Sequence, residues 1–403
     1  MKVVEARVTP VAFPDPPLLN SAGVHEPWAL RTIVELDGGD GLVGLGETYG
    51  DAAHLAAVRR AAERLVGLDP FDLSAIGTAT RRSLGAGDHA LKVFAPFEVA
   101  ALDLQARSIG RPVYQLLGGR VRDRVAFSAY LFYKWAQHPG RPADEWGAAL
   151  DPAGVVEQAR ALVQQFGFGS IKLKGGVFPP VEEIDAIREL RRAFPSHPLR
   201  IDPNCAWTVQ TAKQVAAETT GLLEYLEDPT PGIDGMAEVA SAAPMPLATN
   251  MCVVSPADLR PAFERGAVGV VLADHHYWGG LRACAELART CAAWGVGVSM
   301  HSNSHLGISL AAMVQLGAAT PELTYAADTH TPWQGGVDVV TAPLPIVDGA
   351  VAVPDAPGLG VELDRDALAR LHEQYRRCGV RSRDDTAYMR TVRPDFVKRR
   401  PRW

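Results

Sequence analysis

Lys172, Lys174, Asp202, Glu227, Asn250, Asp274, His301 and Asp328 each close a stretch that reads as a strand. From Lys174 onward they fall at gaps of 28, 25, 23, 24, 27 and 27 residues. That is about one strand, one helix and two short loops per step. A (β/α) barrel sets the carboxyl ends of all its strands on one face, so residues this far apart meet around a single mouth. Asp202, Glu227 and Asn250 offer three hard oxygen ligands in succession, which suits a divalent cation such as magnesium. A strand-ending carboxylate before proline, as in Asp202-Pro203 and Glu227-Asp228-Pro229, is ordinary turn chemistry when it stands alone. Asn250 one strand later turns the pair into a metal trio, with Asp228 and Asn204 expected just behind it or against a substrate.

Residues 170–176 carry two lysines on one strand face, because the period of two sends Ile171 and Leu173 toward the helices. A buried ammonium without a partner is costly, which favours a chemical use for both. A second ammonium and a nearby cation disfavour the charged form of a lysine, which is what a base requires. Lys174 is read as that base and Lys172 as the cation that holds a substrate carboxylate. Asp274 and His301 end neighbouring strands about 4.8 Å apart, so they can hydrogen-bond and fix the imidazole tautomer as a general base needs. Spacing leaves open which of His275, His276 and His330 points inward.

The chain that must position these groups has 403 residues, more than one ordinary core, and a barrel of about 250 leaves room for a second domain. Hydrophobic residues at 47% and charged residues at 21% describe a globular protein. A net charge of −6 offers no basic surplus for a nucleic-acid backbone. The basic cluster from Lys398 to Arg402 is expected to be solvated or pinned to a neighbouring subunit. Five cysteines with no CxxC spacing indicate neither a disulfide framework nor a zinc site, so the reduced cytoplasm is the default. No apolar run reaches about 18 residues, and the charged residues 1–10 are unlike a signal peptide. No membrane partner is expected.

Residues 1–120 read as an α+β piece. Residues 3–11 alternate weakly, 32–36 and 41–48 read as strands around a Gly-Gly-Asp-Gly turn, and 52–66 as a helix. From Val125 strands and helices alternate, so 121–360 is assigned to the barrel and 361–403 to a segment returning to the first domain. Residues 152–166 place Val155, Val156, Ala159, Leu162, Val163 and Phe166 on one helix face, and Ile184, Ile187, Leu190 and Phe194 do the same in the next. Ser255 before Pro256 marks the start of the fifth barrel helix.

These residues resemble the enolase superfamily, in its mandelate racemase and muconate lactonising branch, and within it the glucarate dehydratase group. The resemblance runs over nearly the whole chain. It rests on residues 20–27, 98–104, 110–119, 130–132, 171–176, 202–207, 227–229, 248–251, 272–274, 301–309, 328–330 and 383–385. Lys-x-Lys and the metal trio mark the branch. Asn250 as third ligand, with His-Ser-Asn-x-His from His301, marks the group.

The resemblance implies a modified TIM barrel, (β/α)7β, with an N-terminal α+β capping domain completed by the C-terminal segment. It implies magnesium on Asp202, Glu227 and Asn250, Lys174 and His301 as bases on opposite faces of the substrate, and Asp274 as the partner of His301. Asn20 and His25 would close over an acid sugar bound also by Tyr130, Asn204, Ser302, Asn303, His330 and Arg383. The implied reaction is dehydration of D-glucarate to 5-dehydro-4-deoxy-D-glucarate through an enediolate, in a homo-oligomer. Rival readings are a dehydratase or epimerase of another acid sugar such as galactarate, a Schiff-base aldolase using Lys174, and an idle sugar-acid sensor. Two departures from the group pattern are Cys205, where glycine is usual, and Ala95-Pro96, where a threonine-glycine pair is expected near the pocket.

Overall fold

The computed structural model describes all 403 residues. The chain opens with an antiparallel meander of Glu5–Pro14, Trp28–Asp37 and Val43–Tyr49. Its second turn runs through Gly39, Asp40 and Gly41, all at positive φ, the conformation that glycine tolerates best. Helices Ala52–Ala62, Leu73–Arg82 and Ala90–Ser108 cover one side. The long helix lies so close to the third strand that a Cβ at Gly46 would stand 2.1 Å from the Pro96 carbonyl oxygen. Ala95 and Pro96 are therefore sealed in this helix–strand seam. The expectation that they stand near the pocket is overturned, and Lys92 and Val93, a turn earlier, line it instead.

Seven parallel strands form the barrel wall: Ala129–Phe132, Ile171–Lys174, Leu199–Asp202, Tyr225–Glu227, Leu247–Thr249, Val270–Ala273 and Gly297–Met300, each paired with the next. The eighth position is not the regular strand that the spacing suggested. Residues 323–327 meet one neighbour through a bridge of Val298 with Leu323 and the other through Phe127 with Ala327. Because the two partners are met at different residues, single bridges form where a ladder would, and the barrel still closes. Asp328 N donates to Met300 O at 2.8 Å, which fixes Asp328 at the mouth.

Seven helices return the chain from strand to strand: Pro152–Phe166, Pro180–Ala193, Val209–Glu218, Gly232–Ala240, Pro256–Glu264, Leu281–Ala293 and Gly307–Ala319. The first begins at Asp151, whose side chain accepts from Gly154 N, and ends at Gly167 with φ 70°, a start and stop of the kind its sequence signals. Val155, Val156, Ala159 and Leu162 are its buried face. Ser255 and Asp258 close a capping box at the fifth. The sixth begins at Gly280, which has no side chain to cap it. Glu98 of the capping helix supplies the acceptor, taking Leu281 N at 2.9 Å and Arg282 N at 3.1 Å, and burial pushes this carboxyl up to about 7. The cap is thus locked to the barrel by helix-end chemistry. Gly307–Ala319 is buried along its whole length.

After the barrel, Ile346–Val347 and Ala350–Ala352 form a hairpin on Arg124–Ala126. Helix Arg365–Arg377 then lies on the first strand, with His372 Nδ1 2.7 Å from Pro10 O. Helix Asp385–Arg390 sits against the small hairpin Leu19–Asn20/Gly23–Val24, where a Cβ at Gly23 would come 2.4 Å from Asp385 O. The last residues leave the cap. Arg402 N and Trp403 N donate to Ala206 O at 2.6 and 3.0 Å, and Thr208 N donates to Trp403 O at 2.6 Å. The basic tail, expected in solvent or on another subunit, is bound to its own barrel. No helix is long and apolar enough to cross a membrane.

Candidate active site

The carboxyl ends of the third, fourth and fifth barrel strands bring Asp202, Glu227 and Asn250 together. Asp202 and Glu227 are fully buried. Both Glu227 carboxylate oxygens and Asn250 Oδ1 are buried without a hydrogen-bond partner. Lys172 Nζ stands 2.6 Å from Glu227 Oε2, off the direction in which a hydrogen bond would form. Burial, opposed by Lys172 and reinforced by Asp202 and Asp328, pushes Glu227 well above the usual carboxylate range. Buried acceptors left unpaired are expensive, and these three converge with Asp202 as an oxygen-only donor set, the set a hard divalent cation takes. Asp228 sets the position of Asn250, accepting from Asn250 N at 2.9 Å and from Thr249 Oγ1 at 2.6 Å. Burial and Asp202 raise Asp228 to about 7.

Asp274, His275 and His276 also cluster closely enough to hold a metal, but the Asp274 carboxylate and the His276 ring are already engaged. Asp274 Oδ1 takes His276 N at 2.9 Å and lies 2.8 Å from His276 Nδ1, while Oδ2 is 2.9 Å from His301 Nδ1. Burial alone would raise Asp274. His276 and His301 override it and hold the carboxylate well below its ordinary range. An ionised carboxylate only accepts, so Nδ1 of His301 carries the proton and Nε2 is left bare to act as a base. His276 Nε2 is 2.7 Å from Arg31 Nη2 and 2.9 Å from Ser309 Oγ, and Arg31 Nε donates to Glu47 Oε1 at 2.8 Å. A buried chain from the cap meander through Arg31 and His276 therefore holds the Asp274–His301 pair.

Lys174 Nζ lies 2.5 Å from Asp202 Oδ2. Lys172 is wholly buried, with Nζ 2.6 Å from Asp328 Oδ2 and 4.7 Å from the Tyr130 ring centre. Burial would lower its pKa, but Asp328 and Glu227 hold it well above the ordinary value. Its ammonium stays charged, beneath the cavity wall rather than on it, because a buried cation draws carboxylates to itself.

A cavity of about 820 Å³ opens above these groups, and Lys174, Asn250 and His301 reach it from the barrel. Tyr130, Asn204, Asn303 and His330 line it as well, while Asn20, His25 and Arg383 face it from the cap side. Asp202, Glu227, Asp274 and Lys172 lie one layer below. Ser302 is also set back, its Oγ 3.1 Å from His330 Nδ1. Cys205 does not reach the cavity; it is buried at φ 61° with Sγ 3.8 Å from Met251 Sδ.

Arg383 donates through Nε and Nη2 to both oxygens of Asp385, at 2.7 and 2.9 Å, and through Nη1 to Asp15 at 3.3 Å. Asn20 Nδ2 donates to Asp385 Oδ2 at 3.0 Å, and His25 Nδ1 is 3.1 Å from Asp15 Oδ2. The fork expected to grip a substrate carboxylate is thus already engaged, at Nε and Nη2 by Asp385 and at Nη1 by Asp15, while Arg383 lines the cavity.

Sequence reasoning did not assign Arg31, His276, Tyr49, Lys92, Tyr277, Asp385, Lys398 or Arg400 to the site. Tyr49 Oη accepts from Asn303 Nδ2 at 3.2 Å, and Lys92 Nζ sits 3.8 Å over the Tyr277 ring. For Asp385 a signal was present, two residues after Arg383. For His276 one was too, two residues after Asp274; for the others none was, because each reaches the site from a segment with no periodic relation to it.

The chain has relatives among known proteins. Residues 154–367 match the family model of enolase C-terminal domain-like proteins, and residues 3–118 match that of the mandelate racemase / muconate lactonizing enzyme N-terminal domain. A probable glucarate dehydratase of Streptomyces coelicolor is 52% identical, over 100% of this chain and 99% of that one. The crystal structure of an enolase from Thermobispora bispora, complexed with magnesium and formate, is 62% identical and superposes with a TM-score of 0.98 over 100% of both chains. Another from Pseudomonas fluorescens, with bound magnesium, potassium and tartrate, is 48% identical with a TM-score of 0.96, over 100% of this chain and 99% of that one. The chain belongs to the mandelate racemase and muconate lactonizing enzyme family of the enolase superfamily.

Proposed function

We propose that this chain is a magnesium-dependent hydro-lyase of acid sugars that converts D-glucarate to 5-dehydro-4-deoxy-D-glucarate. The observation that carries the reading is the unpaired oxygen set of Glu227 and Asn250 beside two candidate bases, Lys174 and the Asp274-held His301, in one cavity. The names and ligands of the relatives support an acid as substrate.

A proton next to a carboxylate is barely acidic, so its removal requires a positioned base and stabilised negative charge. Asp202, Glu227 and Asn250 would hold magnesium, which would supply Lewis-acid stabilisation of that charge. Lys174 or His301 takes the proton, and the electron pair left on carbon becomes an enediolate. Lys172, kept charged beneath the site, holds Glu227 in place and adds a fixed positive field. The carbon–oxygen bond of the adjacent hydroxyl then breaks and the oxygen leaves as water, taking up the proton that the base removed, which His301 returns where it is that base. The resulting enol tautomerises to the keto acid. A positioned base contributes a factor of about 10² to 10⁴, or roughly 3 to 5.5 kcal/mol. On the cap side Arg383, with Asn20 and His25, meets the second carboxylate, an interaction that a monocarboxylate cannot make.

A panel of aldarates and aldonates, assayed for keto-acid formation with and without chelator, tests the proposal. D-glucarate is expected to turn over best, gluconate poorly, and chelation to abolish both. Full activity after thorough chelation would end the metal assignment. Preference for galactarate would move the reading to another acid sugar.

A further inference from the structure

We propose that the C-terminal residues 398–403 are a working part of this cavity, with Arg400 as a positioning residue for Asn204 and for the hairpin that carries Asn20. The inference rests on the acid-sugar reading for its substrate, but its structural half does not.

Three side chains distant in sequence meet at one point. Arg400 Nη2 hydrogen-bonds Asn204 Oδ1, and Arg400 Nε donates to Ser21 Oγ at 3.1 Å. Ser21 Oγ is in turn 3.2 Å from Asn204 Oδ1 and 3.3 Å from Asn204 O. Two residues further on, the main chain of the tail is fastened to the same barrel loop by the bonds among Ala206, Thr208, Arg402 and Trp403. Trp403 and Phe396 pack on the main hydrophobic core. The tail is therefore clasped on both sides of Arg400.

The loop it braces needs bracing. Asn204 and Cys205 hold φ of 57° and 61°, a left-handed conformation that costs a non-glycine residue roughly 1–2 kcal/mol. The loop follows Asp202 directly, and Asn204 N donates to Asp202 Oδ1 at 2.8 Å, so any shift of Asn204 is passed to a metal-candidate carboxylate. With Oδ1 held by Arg400 and Ser21, the Asn204 amide has one orientation left, Nδ2 turned to Met251 Sδ at 3.3 Å. Lys398 and Arg400 also line the cavity. They add two positive charges to a lining that also carries Asp51, Asp88, Asp384 and Asp385, which favours the approach of a dianion.

The test uses the full enzyme, Arg400→Ala, Arg400→Lys and a chain ending at Val397. Without substrate, amide hydrogen exchange in residues 204–208 and 19–24 is expected to rise about tenfold or more in Arg400→Ala and in the truncated chain, with the barrel strands unchanged. With D-glucarate, KM of Arg400→Ala is expected to rise about tenfold while kcat stays within about threefold, and Arg400→Lys to recover part of the loss. Exchange and KM both within twofold of wild type would overturn the proposal. So would a loss carried wholly by kcat, or one accompanied by faster exchange throughout the barrel, since either marks general damage. If exchange rises locally but no form of the enzyme turns over any acid sugar, the clasp stands and the proposed substrate class falls.

Discussion

Asp202, Glu227 and Asn250 stand on the ends of three consecutive parallel strands, whereas Asn20, His25, Arg383 and Arg400 reach the same cavity from a two-residue hairpin arm, a loop, a turn and the C-terminal tail. The first group is held by a main-chain ladder and sits in a floor where Asp202 and Glu227 are fully buried. The second is held by side chains that grip one another across hundreds of residues, as Asn20 grips Asp385 and Arg400 grips Asn204. Bond making needs groups fixed to a fraction of an ångström, and a ladder provides that. Substrate choice needs parts that can open, admit a ligand and be altered without disturbing the chemistry, and loops provide that. The floor and the wall should therefore fail differently when perturbed.

Glu227→Gln is the strongest way to break the contrast. It keeps the shape of the floor and removes one charge, so kcat for acid-sugar dehydration should fall by at least about 10³-fold and magnesium affinity should drop with it. In metal-free protein the same substitution breaks the 2.6 Å ion pair with Lys172, but Lys172 keeps Asp328, and burial with Asp202 and Asp328 already disfavours a charged Glu227, so the melting temperature should be unchanged or higher. Calorimetry and magnesium titration measure both. A variant that keeps its activity, or loses metal-free stability, would mean that Glu227 is a structural residue.

Arg383→Ala should act through the wall. Losing the guanidinium from the cavity lining is expected to raise KM for D-glucarate by up to about 10²-fold and to narrow its advantage over gluconate, with a smaller change in kcat. Because Asp385 would lose its partner, Arg383→Lys is the companion variant. It keeps a charge near Asp385 but not the paired bonds, and should lie between. Steady-state kinetics on both acids decide it, and an equal loss for the two acids would remove Arg383 from recognition of the second carboxylate.

The floor was legible because a strand has a period of two and a barrel has one mouth. Those two regularities were enough to place Lys174, Asp202, Glu227, Asn250, Asp274 and His301 together. The helix faces at 155–162 and 184–190 followed from their own period. The eighth strand was over-read, since residues 323–327 are shared between neighbours that they meet out of step. The Arg31–His276 support and the Arg400 clasp were invisible because a side-chain partnership between distant segments leaves no spacing to detect. Lys172 was misplaced by a layer for a related reason. The strand pattern shows the face a side chain takes, but not that Asp328 would draw its ammonium down to 2.6 Å.

Acid separates the wall from the floor more gently. Burial alone would raise Asp385, but Arg383 and His25 hold it down to about 2, against an ordinary 3.8. A carboxylate depressed in the folded state stabilises that state above its unfolded pKa, and the contribution is lost as pH falls from about 4 toward 2. The difference amounts to about 2.5 kcal/mol at most, and it is localised where Asp385 ties Arg383 and Asn20 to the cap. Hydrogen exchange around residues 383–390 and 19–24 should therefore accelerate as the pH is lowered through that window, before exchange in the barrel strands does. Asp385→Asn removes the titration, so this variant should show fast exchange in the wall already at neutral pH and little further change on acidification. If acid loosens the barrel strands and the wall together, the two are one cooperative unit, and the division of labour between ladder and side-chain grip does not hold in solution.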